Sequence, residues 1–312
     1  MGDIARASFL KRMYVYQSER FPVLAHGLLI AAFTFSAISY SRICRGAEGF
    51  IPFNTYVIGV FATFTLFFLV RIFDEFKDKA DDAKYRAYLP VPRGLVSLKE
   101  LKTVALVVGI VQILIIAYFQ LPMLLLYALV IGYLMLMGVE FFVPTWLKQR
   151  QILYIVSHMV IIPLVDIYSS GLDWLLEGAE PHIGLAFFFA VSYLNGIVLE
   201  FGRKIRSPEG EEEGVVSYTG LYGTRGGTVY WILILSVTLL LAIAASVFAG
   251  YGLLAFLILG GLFVLCALPG FLFIIKPTTK MSKIIEYSSS LWTMGMYLSL
   301  GGVPMLNNLL FG

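Results

Sequence analysis

Nine mostly apolar stretches of about 18 to 25 residues recur along this 312-residue chain, near 23–42, 51–72, 101–118, 121–141, 152–170, 183–201, 228–248, 251–275 and 287–311. At 1.5 Å per residue, each is long enough to cross about 30 Å of hydrocarbon as a helix. Only 14% of residues are charged and 59% are apolar, against roughly 25% charged in soluble domains. An ordinary soluble fold is excluded, and the expected class is an all-α membrane protein of nine transmembrane helices.

The basic residues fall almost wholly on one side of that layout. Twenty-one of the 23 Lys and Arg residues lie in the N-terminal segment or in the loops that follow even-numbered helices, and only Arg42 and Arg45 are left for the opposite face. The positive-inside rule then places the N-terminus and the even-numbered loops in the cytoplasm. A net charge of +3 is too small to suggest a nucleic-acid partner. The first apolar stretch exceeds a signal-peptide core and is read as a retained span. Cys44 and Cys266 are far apart and suggest neither a disulfide framework nor a thiolate metal site. The two longest hydrophilic connections follow helices 2 and 6, so the chain reads as one polytopic domain of two pseudo-equivalent halves, about 1–150 and 151–312.

The first connection opens with Asp74, Glu75, Asp78, Asp81 and Asp82. If helix 2 continues, Asp74, Asp78 and Asp82 stand at i, i+4 and i+8, with Glu75 on the same face. Stacked carboxylates at a helix C-terminus repel one another and oppose the helix dipole, so a cation is the natural counterpart. Mg²⁺ takes oxygen ligands, commonly one or two carboxylates together with substrate phosphates. The competing reading is a solvated loop in which Lys77, Lys79 and Lys84 neutralise the acids.

Helix 6 ends at Glu200, with Arg203 and Lys204 at i+3 and i+4. The acid suits a metal and the two cations suit diphosphate oxygens; an interfacial salt-bridge network is the plainer alternative. Arg71 and Lys148, on the same cytoplasmic side, are further diphosphate contacts or topology anchors. Asn195, His158 and Asp166 lie inside apolar segments and are candidates for lining a cavity or for fixing helix packing.

These residues resemble the UbiA superfamily of intramembrane prenyltransferases, whose first signature reads N-D-x-x-D-x-x-x-D. Asp74, Glu75, Asp78 and Asp82 fall on its four positions, and Leu89-Pro-Val-Pro-Arg-Gly-Leu-Val-Ser97 resembles the family's R-P-L-P-x-G-x-[IV]-S. The second signature, D-x-x-x-D followed by G-[VI]-x-[ST], is matched more loosely by Glu200 to Lys204 and Gly214 to Ser217. Lys204 stands where the second Asp is expected, which leaves Glu209 or Glu212 to supply that acid.

The resemblance implies a bundle with a central cavity opening to the cytoplasmic face. It also implies Mg²⁺ held by Asp74, Glu75, Asp78, Asp82, Glu200 and Glu209, and an isoprenyl diphosphate that ionises there. The prenyl group would pass to a lipophilic acceptor within the membrane, with ring faces of some of the 47 aromatic residues available to the carbocation. Two other readings stand beside this one. A UbiA-type terpene cyclase would use no acceptor, and a transporter would carry its ionisable residues near the midplane, whereas most acids here gather at one rim.

Overall fold

The computed structural model describes residues 7–311, which form helices joined by turns with no strand among them. Arg6, counted above with the N-terminal basic residues, lies outside the described residues. In chain order the helices are α1 (Phe9–Arg20), α2 (Val23–Arg45), α3 (Phe53–Lys77), α4 (Lys79–Tyr85), α5 (Leu98–Phe119), α6 (Met123–Gly138) and α7 (Pro144–Lys148). They continue with α8 (Gln151–Met159), α9 (Ile161–Trp174), α10 (Gly184–Arg203), α11 (Tyr218–Phe248), α12 (Leu253–Ile275), α13 (Thr279–Tyr297) and α14 (Val303–Phe311).

Seven helical segments among the described residues are long and apolar enough to cross a membrane: α2, α3, α5, the α8–α9 pair, α10, α11 and α12. The chain is therefore a multi-pass membrane protein. Each of the nine expected stretches contains a helix, but two fall short of that measure. The fourth, α6, has 16 residues, and the ninth is divided by a π turn at Leu298–Gly302 between α13 and α14. The α8–α9 pair breaks at Val160, because the ring of Pro163 crowds the carbonyl of Met159 and offers it no N–H. Leu106, Ile110 and Leu114 are exposed at four-residue spacing along α5, the apolar outer face that a bilayer-facing helix requires.

The chain divides into two compact units, Met1–Ala31 with Pro52–Gln149 and Ala32–Ile51 with Arg150–Gly312. In the first unit, Ser97 and Glu100 form a capping box that starts α5. The turn before it buries Leu95 and Val96 with Tyr16, Ile72 and Leu101, which seats α1 against the ends of α3 and α5. Arg12 reinforces that seat by donating to the Leu95 carbonyl at 3.0 Å and to Glu100 at 2.6 Å. Deeper in the unit, Gln112 donates to Thr65 Oγ1 at 2.6 Å and accepts from Tyr127 at 2.9 Å. These bonds join α3, α5 and α6 where water offers no alternative partner.

In the second unit α10 packs against α9, α11 and α13. Trp231 on α11 is fully buried and donates to Ser289 on α13 at 3.0 Å. At the end of the unit bearing Arg42 and Arg45, both guanidinium groups converge on Asp173 and Glu177. The two cations that stood apart from the basic face are thus paired with two acids.

Candidate functional site

The first unit carries the acidic run. The helix is not continuous through residue 82: α3 ends at Lys77, and Asp78 is the junction to α4. The backbone nevertheless keeps helical spacing, with Asp78 N–H donating to the Asp74 carbonyl at 2.9 Å and Asp82 N–H to the Asp78 carbonyl at 2.8 Å.

The stripe of four carboxylates is dispersed by cations that reach it from neighbouring elements. Asp74 meets Lys77 at 3.0 Å and Arg71 at 3.7 Å. Glu75 is 1% exposed and accepts from Arg20 at 2.7 Å, Arg71 at 3.0 Å and Tyr16 at 3.4 Å. Asp82 is buried and meets Arg86 at 2.6 Å. Asp78 differs, because it forms no ion pair among the described residues. Burial pushes its carboxyl above the usual range, Lys77 opposes that, and the charges of Asp74 and Asp82 add to it. Lys148, at the end of α7, lies 3.4 Å from Asp81.

Among the described residues, no group of three or more His, Cys, Asp or Glu side chains is arranged to hold a metal ion. The donor set still fits Mg²⁺ at Asp78. That carboxylate is desolvated, has like-charged neighbours and carries no ion pair, and Mg²⁺ asks for only one or two carboxylates when phosphate oxygens and water complete its shell. Glu75 fits less well, since its Oε1 already serves three donors.

The second unit carries the mixed cluster. Glu200, on the last turn of α10, pairs with Lys204 at 2.6 Å and with Arg203. The i+3 and i+4 spacing thus brings these three side chains together. Glu200 and Arg203 line a cavity of about 300 Å³ together with Glu286 and Ser290 of α13. Its remaining walls are Met159, Ile162, Gly196 and Leu199, so an apolar interior opens through a charged rim.

Glu209 is exposed on the turn Pro208–Gly210, and Glu212 pairs with Arg206 at 2.8 Å. Their neighbour Glu211 has a role that the sequence did not suggest, accepting from Ser217 at 2.7 Å and from Thr219 at 3.0 Å at the start of α11. Ser217 also caps that helix through Gly220 N–H at 2.8 Å. Gly214 and Ser217, matched above to a signature, are therefore the turn that launches α11.

Asp166 and Asn195 are fully buried. Asp166 lies beside Ser192, whose hydroxyl is 2.7 Å from that of Tyr297, so α9, α10 and α13 enclose a polar cluster. His158 is turned to the backbone of its own helix, with Nδ1 2.8 Å from the Tyr154 carbonyl and its ring stacked on Tyr154 at 4.0 Å.

Sequence reasoning missed the part played by α1. Arg12, Tyr16 and Arg20 recur every four residues on one face of that helix, and this face supplies the groups that meet Glu100 and Glu75. The spacing was available as a signal, but four basic residues before a first span read more simply as topology determinants.

No protein-family model matches the chain, and no curated protein matches it in sequence. A solved structure does share its fold. It is described as giving structural and mechanistic insights into the biosynthesis of digeranylgeranylglyceryl phosphate synthase in membranes. The two agree with a TM-score of 0.58 at 14% identity, over 89% of this chain and 98% of that chain.

Proposed function

We propose that this protein is a UbiA-type intramembrane prenyltransferase, which ionises an isoprenyl diphosphate and transfers the prenyl group to a lipophilic acceptor. The observation that carries the reading is the Asp74–Asp78–Asp82 series at the end of a membrane-spanning helix, with Asp78 left without a cation, in a chain that shares its fold with a membrane synthase. The proposal includes nine spans, with the N-terminus and both acidic runs on the cytoplasmic side, as the basic-residue distribution supports.

Asp78 is the principal ligand for Mg²⁺, with Asp74 and Asp82 flanking it. When bound, Mg²⁺ supplies Lewis-acid neutralisation of the departing pyrophosphate. In the second unit, Arg203 offers a planar fork and Lys204 a point charge to phosphate oxygens, while Glu200 holds both in place. Met159, Ile162 and Leu199 give the isoprenoid chain an apolar wall. The C1–O bond breaks, pyrophosphate departs with the electron pair, and the acceptor loses a proton when alkylated.

The test is incubation of purified protein with C10 to C20 prenyl diphosphates, with and without a membrane-lipid extract. Extract-dependent pyrophosphate release supports the transferase. Release with a cyclic hydrocarbon and no extract points instead to a UbiA-type cyclase, a reading kept open by Lys204 at the expected acid position. No release with any diphosphate overturns both.

A further inference from the structure

The segment that leaves α6 adopts a conformation that L-residues rarely take. Glu140, Phe141 and Phe142 have φ values of 47, 53 and 62°, three successive non-glycine residues in the left-handed region. Such a run persists only where its surroundings over-determine it.

Both ends of the segment are fixed against the acidic run. A Cβ at Gly138 would stand 2.6 Å from Phe73, so the end of α6 lies directly on the residue before Asp74. Further along, Lys148 reaches Asp81 at 3.4 Å. Glu140 sits between these two contacts. Its side chain is 4% exposed, and neither carboxylate oxygen has a hydrogen-bond partner. The charges that act on it are those of Lys148, Lys77, Asp78 and Asp81. Lys77 is already 3.0 Å from Asp74, and Lys148 already serves Asp81.

Among the described residues of the first unit, two carboxylates therefore lack an ion pair of their own, Asp78 and Glu140, and the charge of Asp78 acts on Glu140. Two desolvated carboxylates so placed are unfavourable as a charged pair, and either protonation or a shared cation relieves them. We propose that Glu140 is a second ligand, with Asp78, of a divalent-cation site, and that the strained turn exists to hold its carboxylate there. The biological cation and its use in catalysis rest on the prenyltransferase reading; the site itself does not. Two carboxylates suffice for a hard cation whose other positions are filled by water or phosphate oxygens, which is consistent with the lack of any three-acid group among the described residues.

The experiment is a titration of the full-length protein in nanodiscs with Mn²⁺, following free Mn²⁺ by electron paramagnetic resonance, for wild type, Asp78→Asn, Glu140→Gln and Glu140→Gly. Both Glu140 variants should bind Mn²⁺ at least tenfold more weakly. Glu140→Gly should nevertheless melt at or above the wild-type temperature, because glycine takes this φ without steric strain. Wild-type affinity in both Glu140 variants, or no Mn²⁺ binding by the wild type, overturns the proposal. Prenyl-diphosphate turnover by wild type alongside unchanged Mn²⁺ affinity in Glu140→Gln removes Glu140 and leaves the enzyme reading standing. Glu140-dependent Mn²⁺ binding without turnover of any diphosphate sinks the enzyme reading and keeps the site.

Discussion

Arg20 Nε donates to Glu75 Oε1 at 2.7 Å, joining α1 to the last turns of α3 through a carboxylate that is 1% exposed. Removing one partner of a buried pair costs about 3 to 5 kcal/mol when the other is left alone, and less where, as here, Arg71 stays 3.0 Å from the same carboxylate. Arg20→Ala should therefore lower the thermal midpoint in detergent clearly, and adding Glu75→Gln should recover part of the loss. Glu75→Gln alone should keep Mg²⁺-dependent turnover. If that variant instead loses turnover while melting normally, Glu75 is a ligand rather than a clamp.

Asp78 is the carboxylate of the acidic run that no cation claims, and it should be the most sensitive to neutralisation. Asp78→Asn is nearly isosteric and relieves repulsion from Asp74 and Asp82, so folding should survive. Mg²⁺-dependent pyrophosphate release should fall at least a hundredfold, roughly the 2.7 kcal/mol that one lost electrostatic contact to a developing charge commonly costs. Release within threefold of wild type would remove Asp78 from the metal site.

Much of this architecture was legible because membrane spans and helix-local pairs are short-range properties. Every expected apolar stretch contains a helix, and Glu200 meets Arg203 and Lys204 as the i+3 and i+4 spacing implies. What stayed hidden depends on partners distant in sequence. Arg20 neutralises Glu75 from 55 residues away, so a stripe drawn along one helix could not show which acids remain without a cation. The turn at Glu140 stayed hidden as well, since nothing local announces three consecutive left-handed residues without a glycine. Arg42 and Arg45 looked like exceptions to a one-sided distribution of basic residues until Asp173 and Glu177, more than 120 residues on, were seen to pair with them.

That cluster carries a pH signature. Asp173 is fully buried and takes bonds from Ser41 at 2.6 Å, Arg42 at 2.9 Å and Arg45 at 2.7 Å, so Asp173→Ala should destabilise by about 3 to 5 kcal/mol. Glu177 is partly exposed; desolvation raises its carboxyl, but bonds from Arg45 and Arg42 outweigh this and hold it below the usual range. A carboxyl lowered in the folded state contributes stability above its unfolded pKa of about 4.3 and loses that contribution as pH falls through the folded value. Glu177→Gln should accordingly melt lower than wild type at pH 7, with the gap closing below about pH 4. A gap independent of pH would mean that the glutamine disturbs packing.

Arg203 and Lys204 share one carboxylate at the rim of the second unit's cavity. A hydrogen bond to a charged group contributes about 1.5 to 3 kcal/mol, or roughly ten- to a hundredfold in affinity. Arg203→Ala and Lys204→Ala should each weaken inhibition by inorganic pyrophosphate by about tenfold, with little change in melting temperature. Unchanged inhibition in both would return these residues to anchoring the helix end at the membrane surface.

Gly196 sets the width of that cavity. A Cβ there would lie 3.1 Å from both Met159 Sδ and Ile162 Cγ1, tight but open to relief by the flexible methionine. Gly196→Ala should therefore keep most activity. Gly196→Leu must occupy the cavity itself, and a substrate denied room for one isoprene unit loses about 0.8 kcal/mol for each carbon no longer buried. The ratio of C20 to C10 turnover should fall at least tenfold in the leucine variant, with C10 turnover largely kept. Equal losses at both lengths would indicate a folding defect, which the melting temperature checks. An unchanged ratio in a well-folded Gly196→Leu protein would place the prenyl chain elsewhere.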